Sequence, residues 1–327
     1  MTKKAKKIDL KRLVAEIRKA KRILITTHRN PDGDGIGSII ALGLALKQLK
    51  KNVTLYSKDL IPKMYHFLPE HKKVVHKLNP KTKYDLSFIV DLGELERCGD
   101  EFLNHEGRGL TISLDHHLEG SHNADLNYCL PKKASSGEVI YGILKALKAK
   151  LNKAMATNIY TAMVTDTGSF KYSNTNSETF AIASELAKFK IDVWQVALHC
   201  FETFSLARME LLKRVISTMQ IHKNKKLSWI VLTQSDFKET KAQPDEAEGF
   251  INYPRSIETV EVAVSFKEQS DGSYRISMRS KNYVNVAAVA LSFGGGGHER
   301  ASGCHLEGSF AQVQKKLFKK IIPLLKK

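Results

Sequence analysis

The sequence contains few cysteines and few prolines, and it has no long apolar run. Its cysteines, Cys98, Cys129, Cys200 and Cys304, are scattered without a CxxC pair. This spacing excludes a zinc ribbon and a disulfide framework, and it favours a reducing cytoplasm. No apolar segment approaches the ~20 residues of a membrane helix, so we expect no membrane partner. The basic N-terminus also lacks the apolar stretch of a signal peptide, which again favours a cytoplasmic protein.

Basic residues are in excess, with 52 Lys and Arg against 34 Asp and Glu and a net charge of +18. Such a balance favours anionic partners, for example nucleic acid, nucleotides or polyphosphates. A basic but merely solvated surface explains the same balance about as well. Charge alone therefore does not decide between a binding protein and any other basic protein.

Short apolar strands alternate with amphipathic helices in the first half of the chain. The pattern predicts strands at 23–27, 53–56, 86–90 and 109–114, and helices at 37–50, 136–150, 153–164 and 177–189. Repeated alternation of this kind is typical of an α/β fold with a doubly wound, mainly parallel sheet. We therefore expect an N-terminal α/β domain over residues 1–190.

The pattern changes in the last third of the chain. Residues 192–222 have helical periodicity, and strands are then predicted at 227–232, 259–266 and 274–278, with a closing helix at 311–318. A chain of 327 residues is long enough for two domains. We therefore expect a helical linker at 191–224 and a smaller α/β domain at 225–327.

The loop after the first predicted strand, HRNPDGDGIGS, contains three potential metal ligands within seven residues. These are His28, Asp32 and Asp34. In an extended segment the two aspartates would point the same way, since side chains alternate with a period of two. Intervening glycines permit the close approach of a ligand. Taken alone, however, the loop is explained by default as a βα turn with a helix-capping Asp.

Further acidic and histidine residues follow other predicted elements. Asp91 follows LSFIV, Asp115-His116-His117 follows GLTISL, and Asp166 lies in a polar turn after a helix. Ligands of open α/β sheets bind beyond the carboxyl ends of the strands, where these residues can converge. A mixed His/Asp set suits Mn²⁺ better than Mg²⁺ or Zn²⁺. Several carboxylates repel one another unless cations lie between them, which favours two metal ions.

The motifs, in this order, resemble those of the DHH phosphoesterase family, in the branch with a C-terminal DHHA1 domain. HRNPDGDGIGS, VDLGELER, LDHH and MVTDTGSF are similar to the four motifs of the DHH domain. ISMRSKNYVNVAAVA and GGGGHERASG are similar to segments of the DHHA1 domain. Length and motif spacing are most similar to the NrnA-type nanoRNases and phosphatases of 3′-phosphoadenosine 5′-phosphate (pAp). The resemblance implies a DHH domain linked by helices to a smaller α/β DHHA1 domain.

The resemblance also implies roles for individual residues. The implied metal ligands are His28 and Asp32 for one ion, Asp34, His116 and Asp166 for the other, and Asp91 bridging both. Asp115 would orient an adjacent histidine and His117 would face the scissile phosphate, so that these two and Asp91 form the expected catalytic group. All of these positions carry the family's residue, which argues against an inactive homologue.

The glycine run at 294–297 is the main feature of the expected second domain. Its backbone N–H groups could form a nest for a phosphate, or the glycines could let a base approach closely. A flexible turn explains the run about as well when it is taken alone. The resemblance implies that substrate is bound by Arg279, Gly295, Gly296, Gly297 and His298, with Arg255 as a weaker candidate.

The function implied is that of a phosphoesterase with two divalent ions, most suitably Mn²⁺. Its substrates would be RNA oligonucleotides of a few residues, degraded to mononucleotides, and pAp, converted to AMP. Two alternatives stay open: a phosphodiesterase for cyclic or linear dinucleotides with little pAp activity, and a nucleotide-binding regulator without catalysis. A homodimer is compatible with the resemblance.

Overall fold

A parallel sheet forms the centre of the first half of the chain in the computed structural model, which describes residues 5–117 and 124–325. The chain divides into two compact units, Met1–Thr203 and Phe204–Lys327. The N-terminal unit contains the strands β1 (Lys6–Lys7), β2 (Arg22–Thr26), β3 (Asn52–Tyr56), β4 (Val74–Val75), β5 (Leu86–Val90), β6 (Leu110–Asp115) and β7 (Leu126–Cys129). Their order is β1-β7-β6-β5-β2-β3-β4, and every neighbouring pair is parallel.

Helices cover this sheet. They are α1 (Leu10–Lys19), α2 (Gly33–Gln48), α3 (Asp100–Leu103), α4 (Ser136–Ala146), α5 (Lys153–Asp166), α6 (Ser177–Ala187) and α7 (Val193–Ala197). Short 3-10 turns lie at Lys63–Tyr65, His71–Lys73 and Leu95–Cys98, and a π-turn lies at Leu198–Glu202. Every residue of β5 is buried, as expected for an apolar run covered on both faces of a parallel sheet.

The strand order places a topological switch point between β2 and β5. From β2 the chain continues to β3 on one side, whereas β5 is followed by β6 and β7 on the other. The loops that leave the carboxyl ends of β2 and β5 therefore diverge and leave a crevice between them, the usual ligand position in such sheets. These two loops carry His28–Asp34 and Asp91.

The C-terminal unit contains a six-stranded mixed sheet. Its elements are α8 (Leu206–Ser217), β8 (Gln220–Ile221), β9 (Leu227–Leu232), α9 (Gln234–Thr240), α10 (Asn252–Ser256), β10 (Val262–Glu268), β11 (Tyr274–Ser280), α11 (Val286–Leu291), β12 (Gly296–His298), β13 (Ala301–Leu306) and α12 (Phe310–Ile321), with 3-10 turns at Pro244–Ala247 and Ile322–Leu325. The strand order is β12-β13-β11-β10-β9-β8, with only β9 and β10 parallel.

Two small cores hold the C-terminal unit together. One face of its sheet packs against α11 and α12 through residues such as Val264, Met278 and Leu317. The opposite face packs against α8 and α9 near β9, where Leu211 and Ile230 are buried. On this opposite face, the described residues of β11 and β13 belong to neither of the two cores.

The predicted fold class is confirmed, since a parallel doubly wound sheet is followed by a smaller mixed α/β unit. Strand β7 was not predicted, because it is short and only its last residue is buried, so no apolar run marks it. Among the residues that the structure describes, none of the helices combines the length and the hydrophobicity needed to cross a bilayer.

Helix α2 begins four residues before the predicted start because Asp32 caps it and glycines occupy its first turns. Gly37 permits close packing on α5: a Cβ there would lie 2.4 Å from the backbone oxygen of Asn158 and 3.3 Å from the Cβ of Ala162. Glycine has poor intrinsic helix propensity, so the local pattern alone places the helix start too late.

We expect Gly37→Ala to lower the free energy of unfolding by about 1–3 kcal/mol, because the helices must separate to accept the new methyl group. Gly142→Ala is the matched control, since Gly142 lies within α4 and a Cβ there meets nothing within 4 Å. That variant should be neutral or more stable by up to about 1 kcal/mol. Urea unfolding of the wild type and the two variants measures both changes in the free energy of unfolding. Equal changes for the two substitutions would contradict the packing argument.

Candidate metal centre

The loop after β2 leads directly into helix α2, and both carry potential ligands. Asp32 is the N-cap of α2 and its Oδ1 accepts the N–H of Gly35 at 2.9 Å. Asp34 lies in the first helical turn. The expectation that the two aspartates share one face of an extended segment is therefore wrong, since a helix begins between them. Asp32 therefore caps α2 and also lies in the candidate site.

His28, Asp32 and Asp91 form the first group of side chains. One ligand atom from each lies within 4.8 Å of the others. Nε2 of His28 is 3.7 Å from Oδ1 of Asp32 and 3.6 Å from Oδ2 of Asp91. Nδ1 of His28 lies 2.8 Å from the carbonyl oxygen of Arg29, to which it can donate, so Nε2 is the nitrogen that faces the carboxylates.

Asp34, His116 and Asp166 form the second group, again with one ligand atom each within 4.8 Å. Nε2 of His116 is 3.4 Å from Oδ2 of Asp166 and 3.8 Å from Oδ2 of Asp34. The side chain of Asp166 is 32% exposed and that of Asp32 in the first group is 46% exposed. Both groups therefore have an open side towards solvent.

Asp91 lies between the two groups. Its Oδ2 faces His28, while its Oδ1 is 3.7 Å from Nε2 of His116 and accepts a hydrogen bond from the hydroxyl of Ser136 at 3.1 Å. The residue has a left-handed backbone with φ of 59°, an uncommon conformation that Asp tolerates better than most residues. This conformation at the end of β5 aims one carboxylate oxygen at each group.

Asp115 organises the two histidines that follow it. Its Oδ1 accepts the backbone N–H of His116 at 2.7 Å, that of His117 at 3.2 Å, and a hydrogen bond from Nδ1 of His117 at 2.7 Å. Nδ1 of His117 is also 3.8 Å from Oδ1 of Asp91. Asp115 is fully buried, so these bonds hold the imidazole of His117 in a defined orientation beside the two groups.

Burial and mutual repulsion shift the pKa values of the carboxyl groups. Burial, together with repulsion from Asp91, raises the pKa values of Asp34 and Asp166 well above their usual range. Burial alone would also raise the pKa of Asp91, but the neighbouring His28 outweighs it and lowers that pKa below the usual value. Of these three carboxyl groups, Asp91 is the one whose surroundings favour the charged form.

The histidines respond to the same surroundings. Burial lowers the pKa of His116. Burial opposes the charged form of His28 as well, but Asp32 and Asp91 overcome it and raise its pKa to about 10. For His117 the hydrogen bond with Asp115 overcomes burial and raises the pKa to about 9.

The donor set fits a divalent cation. Among the described residues, the buried Nε2 of His116 has no hydrogen-bond partner, although it faces three carboxylates. Buried polar atoms are almost always satisfied, and an unsatisfied imidazole nitrogen amid carboxylates is the arrangement expected of a ligand to a metal ion. The sequence-predicted ligands His28, Asp32, Asp34, Asp91, His116 and Asp166 all lie within these groups.

Helix α4 supplies contacts that the sequence reasoning missed. Backbone N–H groups of Ser136 and Gly137 donate to the two carboxylate oxygens of Asp34 at 2.7 and 2.8 Å, while the Ser136 hydroxyl binds Asp91. Helix N-termini favour negative charge. The segment Ser135-Ser136-Gly137-Glu138 has the form of a capping sequence, and Ser135 indeed caps α4. That signal locates a helix start but does not reveal which carboxylates lie against it.

In the C-terminal unit, Arg279 on β11 and His298 on β12 both pair with Ala301 on β13. Directly opposed residues of neighbouring strands point to the same face, so the two basic side chains and the alanine form one row. The next row contains Ser277, Gly303 and Gly296. The structure thus brings Arg279, His298 and Gly296 onto one face with only small residues between them, whereas Arg255 lies separately on α10.

The glycine run has two structural tasks. The N–H groups of Gly294 and Gly295 donate to the carbonyl oxygens of Leu291 and Ala290 and so close the end of α11. Gly296 and Gly297 belong to the edge strand β12. Two of the four N–H groups are therefore not available for a phosphate nest. Of the two alternatives, the geometry favours close approach of a base, at Gly296, where an added Cβ would meet nothing within 4 Å.

Comparisons with known proteins identify the family of both parts of the chain. Residues 22–165 match the family model described as the DHH family, N-terminal domain, and residues 226–327 match the model of the DHHA1 domain. A solved structure of an exopolyphosphatase-related protein from Bacteroides fragilis is similar over 97% of both chains, with a TM-score of 0.88 and 28% sequence identity.

Two curated bacterial relatives are similar over most of their length. A probable bifunctional oligoribonuclease and PAP phosphatase NrnA from Streptococcus mutans is 31% identical over 90% of this chain and 93% of its own. A bifunctional oligoribonuclease and PAP phosphatase NrnA from Thermus thermophilus is 30% identical over 91% of this chain and 88% of its own. The resemblance found in the sequence motifs is thereby confirmed.

We expect Ser136→Ala to weaken divalent-ion binding by about 10-fold or more, since partners that orient metal ligands typically contribute this much. The variant keeps the backbone N–H bond to Asp34 and loses only the hydroxyl bond to Asp91. Isothermal titration calorimetry measures the affinity. Ser136→Thr should retain it, and Ser87→Ala is the control, because Ser87 is a buried serine whose hydroxyl donates to the Arg108 carbonyl and not to a proposed ligand. Equal affinities of all four proteins would contradict the orienting role.

Proposed function

Since the chain belongs to the DHH family and is a metal-dependent hydrolytic enzyme, we propose that it hydrolyses short RNA oligonucleotides to mononucleotides and dephosphorylates pAp to AMP. The names of the two NrnA relatives support both substrates. The observation that carries the proposal is the position of Asp91, with one carboxylate oxygen facing each of two separate groups of metal-ligand side chains.

We propose two ions in this site. His28 and Asp32 would hold one, Asp34, His116 and Asp166 would hold the other, and Asp91 would contact both. Four buried or half-buried carboxylates at such short range favour two cations, because a single divalent ion does not offset their mutual repulsion. We propose Mn²⁺ as the ion, since a mixed set of imidazole and carboxylate ligands suits Mn²⁺ better than it suits an ion that prefers oxygen ligands alone.

Bound ions of this kind activate a water molecule for in-line attack and neutralise charge on the phosphoryl group. The chain's own residues position and support that reaction. Asp115 fixes the ring of His117, which we propose contacts the scissile phosphate. The N-terminus of α4 and the hydroxyl of Ser136 fix Asp34 and Asp91, so the ligands need little reorganisation during the reaction.

We propose that the C-terminal unit binds the rest of the substrate. Arg279 and His298 can contact a phosphate or a base from the same sheet face. Gly296 leaves open space beside its backbone, and Gly295 and Gly297, which pack against β13, flank it as further proposed contacts. Arg255 remains a weaker candidate for the same anion.

The proposal also includes a cytoplasmic location, which the four buried free cysteines support. A homodimer, which is compatible with the sequence resemblance, stays a prediction.

The experiment that tests this function is a product time course in Mn²⁺. It offers 5′-phosphorylated dinucleotide and pentanucleotide RNA, pAp and a cyclic dinucleotide separately. Release of mononucleotides from both RNAs and of AMP from pAp is the expected result. Turnover of only the cyclic compound would instead identify a cyclic-dinucleotide phosphodiesterase, and tight nucleotide binding without any product would identify a regulator.

Asp91→Asn should lower kcat by about 10³-fold or more on every substrate, because the variant cannot provide two anionic oxygens to two ions. Asp85→Asn is the matched control: Asp85 accepts the N–H groups of Lys21 and Arg22 at the opposite edge of the sheet. Circular dichroism checks that both variants fold. Full activity of Asp91→Asn would refute the proposed site.

Mn²⁺ should raise the unfolding temperature above that in EDTA, because bound cations offset the repulsion among the carboxylates and bind only the folded chain. Differential scanning fluorimetry measures the shift, and Mg²⁺ should produce a smaller one. Asp166→Asn, at a partly exposed ligand, should reduce the shift without unfolding the protein. An unfolding temperature independent of the ion would count against metal binding at this site.

A further inference from the structure

Arg97 lies close to the first group of ligands on the 3-10 turn that follows Asp91. Its side chain is exposed, yet its Nη2 lies 3.3 Å from Nδ1 of His28. The backbone N–H of Arg29 donates to the carbonyl oxygen of Arg97 at 2.7 Å, which ties the loops after β2 and β5 together. The guanidinium is thereby held beside the imidazole of a proposed ligand.

The contact between Arg97 and His28 is not a normal hydrogen bond. Nδ1 of His28 is closer to the carbonyl oxygen of Arg29, at 2.8 Å, than to Arg97. The hydrogen on Nδ1 is therefore assigned to the bond with that carbonyl, and a protonated Nδ1 cannot accept from a guanidinium. Arg97 thus keeps its N–H donors for another acceptor.

The charge of Arg97 also lacks a counter-charge within the part of the chain that the structure describes. Arg29, on the neighbouring loop, has its guanidinium 3.4 Å from Asp100. None of the ion pairs between described residues involves Arg97, including those of His28 and Arg29 beside it. An arginine is always charged, and beside a cation-binding site its charge favours an additional anion.

We propose that Arg97 binds a non-bridging oxygen of the scissile phosphoryl group, next to the ion that His28 and Asp32 would hold. The inference rests on the proposed function and names a further substrate contact for it. A phosphoryl group carries several oxygens, so one group can contact an ion and a guanidinium together. The planar fork of N–H donors matches phosphate geometry, which a lysine would satisfy only as a point charge.

The competing explanation is that Arg97 only supports the ring of His28. That role would make metal affinity depend on Arg97, whereas a phosphate contact would leave metal affinity unchanged. The test therefore measures Mn²⁺ binding and inorganic phosphate binding separately by calorimetry, on wild type, Arg97→Gln, Arg97→Lys and Arg18→Gln. Arg18 is the matched control, because it is exposed in the last turn of α1 and precedes the amino end of β2.

We expect Arg97→Gln to bind Mn²⁺ as wild type does, and the Mn²⁺-loaded variant to bind inorganic phosphate about 10- to 100-fold more weakly. Arg97→Lys should lose less of the affinity for phosphate, and Arg18→Gln should bind phosphate as wild type does. The value of kcat/KM for pAp and for the RNA dinucleotide should fall in parallel with phosphate affinity.

Unchanged phosphate affinity in Arg97→Gln would overturn the proposal, and so would an equal loss of Mn²⁺ affinity, which would assign Arg97 to the support of His28. Failure of the proposed function is a separate result. If the wild-type protein turns over neither RNA nor pAp, that function fails, while the phosphate titration still decides whether Arg97 contacts the anion.

Discussion

Repulsion among buried carboxylates constrains the whole N-terminal unit. Asp34 and Asp91 are 1% and 4% exposed, and Asp166 joins them at the same histidine. Unpaired charges of one sign cannot be buried together without a large cost in folding free energy. Each surrounding feature reduces that cost: imidazoles face the carboxylates, a helix N-terminus donates two N–H groups, and the site has an open side through which cations can enter.

The parallel sheet is what makes this concentration of groups possible. Because all neighbouring strands run in the same direction, the loops after β2, β5 and β6 leave at one edge. Helices α2 and α4 start at that edge, so their N-termini also face the site. An antiparallel pairing at any of these strands would have moved His28, Asp91 or His116 to the opposite edge.

Sequence patterns predicted individual elements with uneven success. Strands 86–90 and 227–232 match the structure at both ends, because both are mainly apolar runs in which every residue but the half-buried Val231 is buried. The start of α2 was placed too late, since glycine propensity opposes a helix that tertiary packing against Asn158 and Thr165 requires. Similarly, the glycine run resembled an anion nest, whereas the end of α11 uses two of its N–H groups.

By itself, the sequence determined the fold class, the order of the motifs and the residue types that can bind a metal. These follow from local patterns, since apolar runs mark strands and His and Asp cluster where the strands end. Only the tertiary structure decided which oxygen of Asp91 faces which histidine, that Ser136 orients two aspartates, and that Arg97 lies beside His28. Those contacts join residues up to 102 positions apart in the sequence. A local sequence pattern carries no information about which residues so far apart in the chain come into contact.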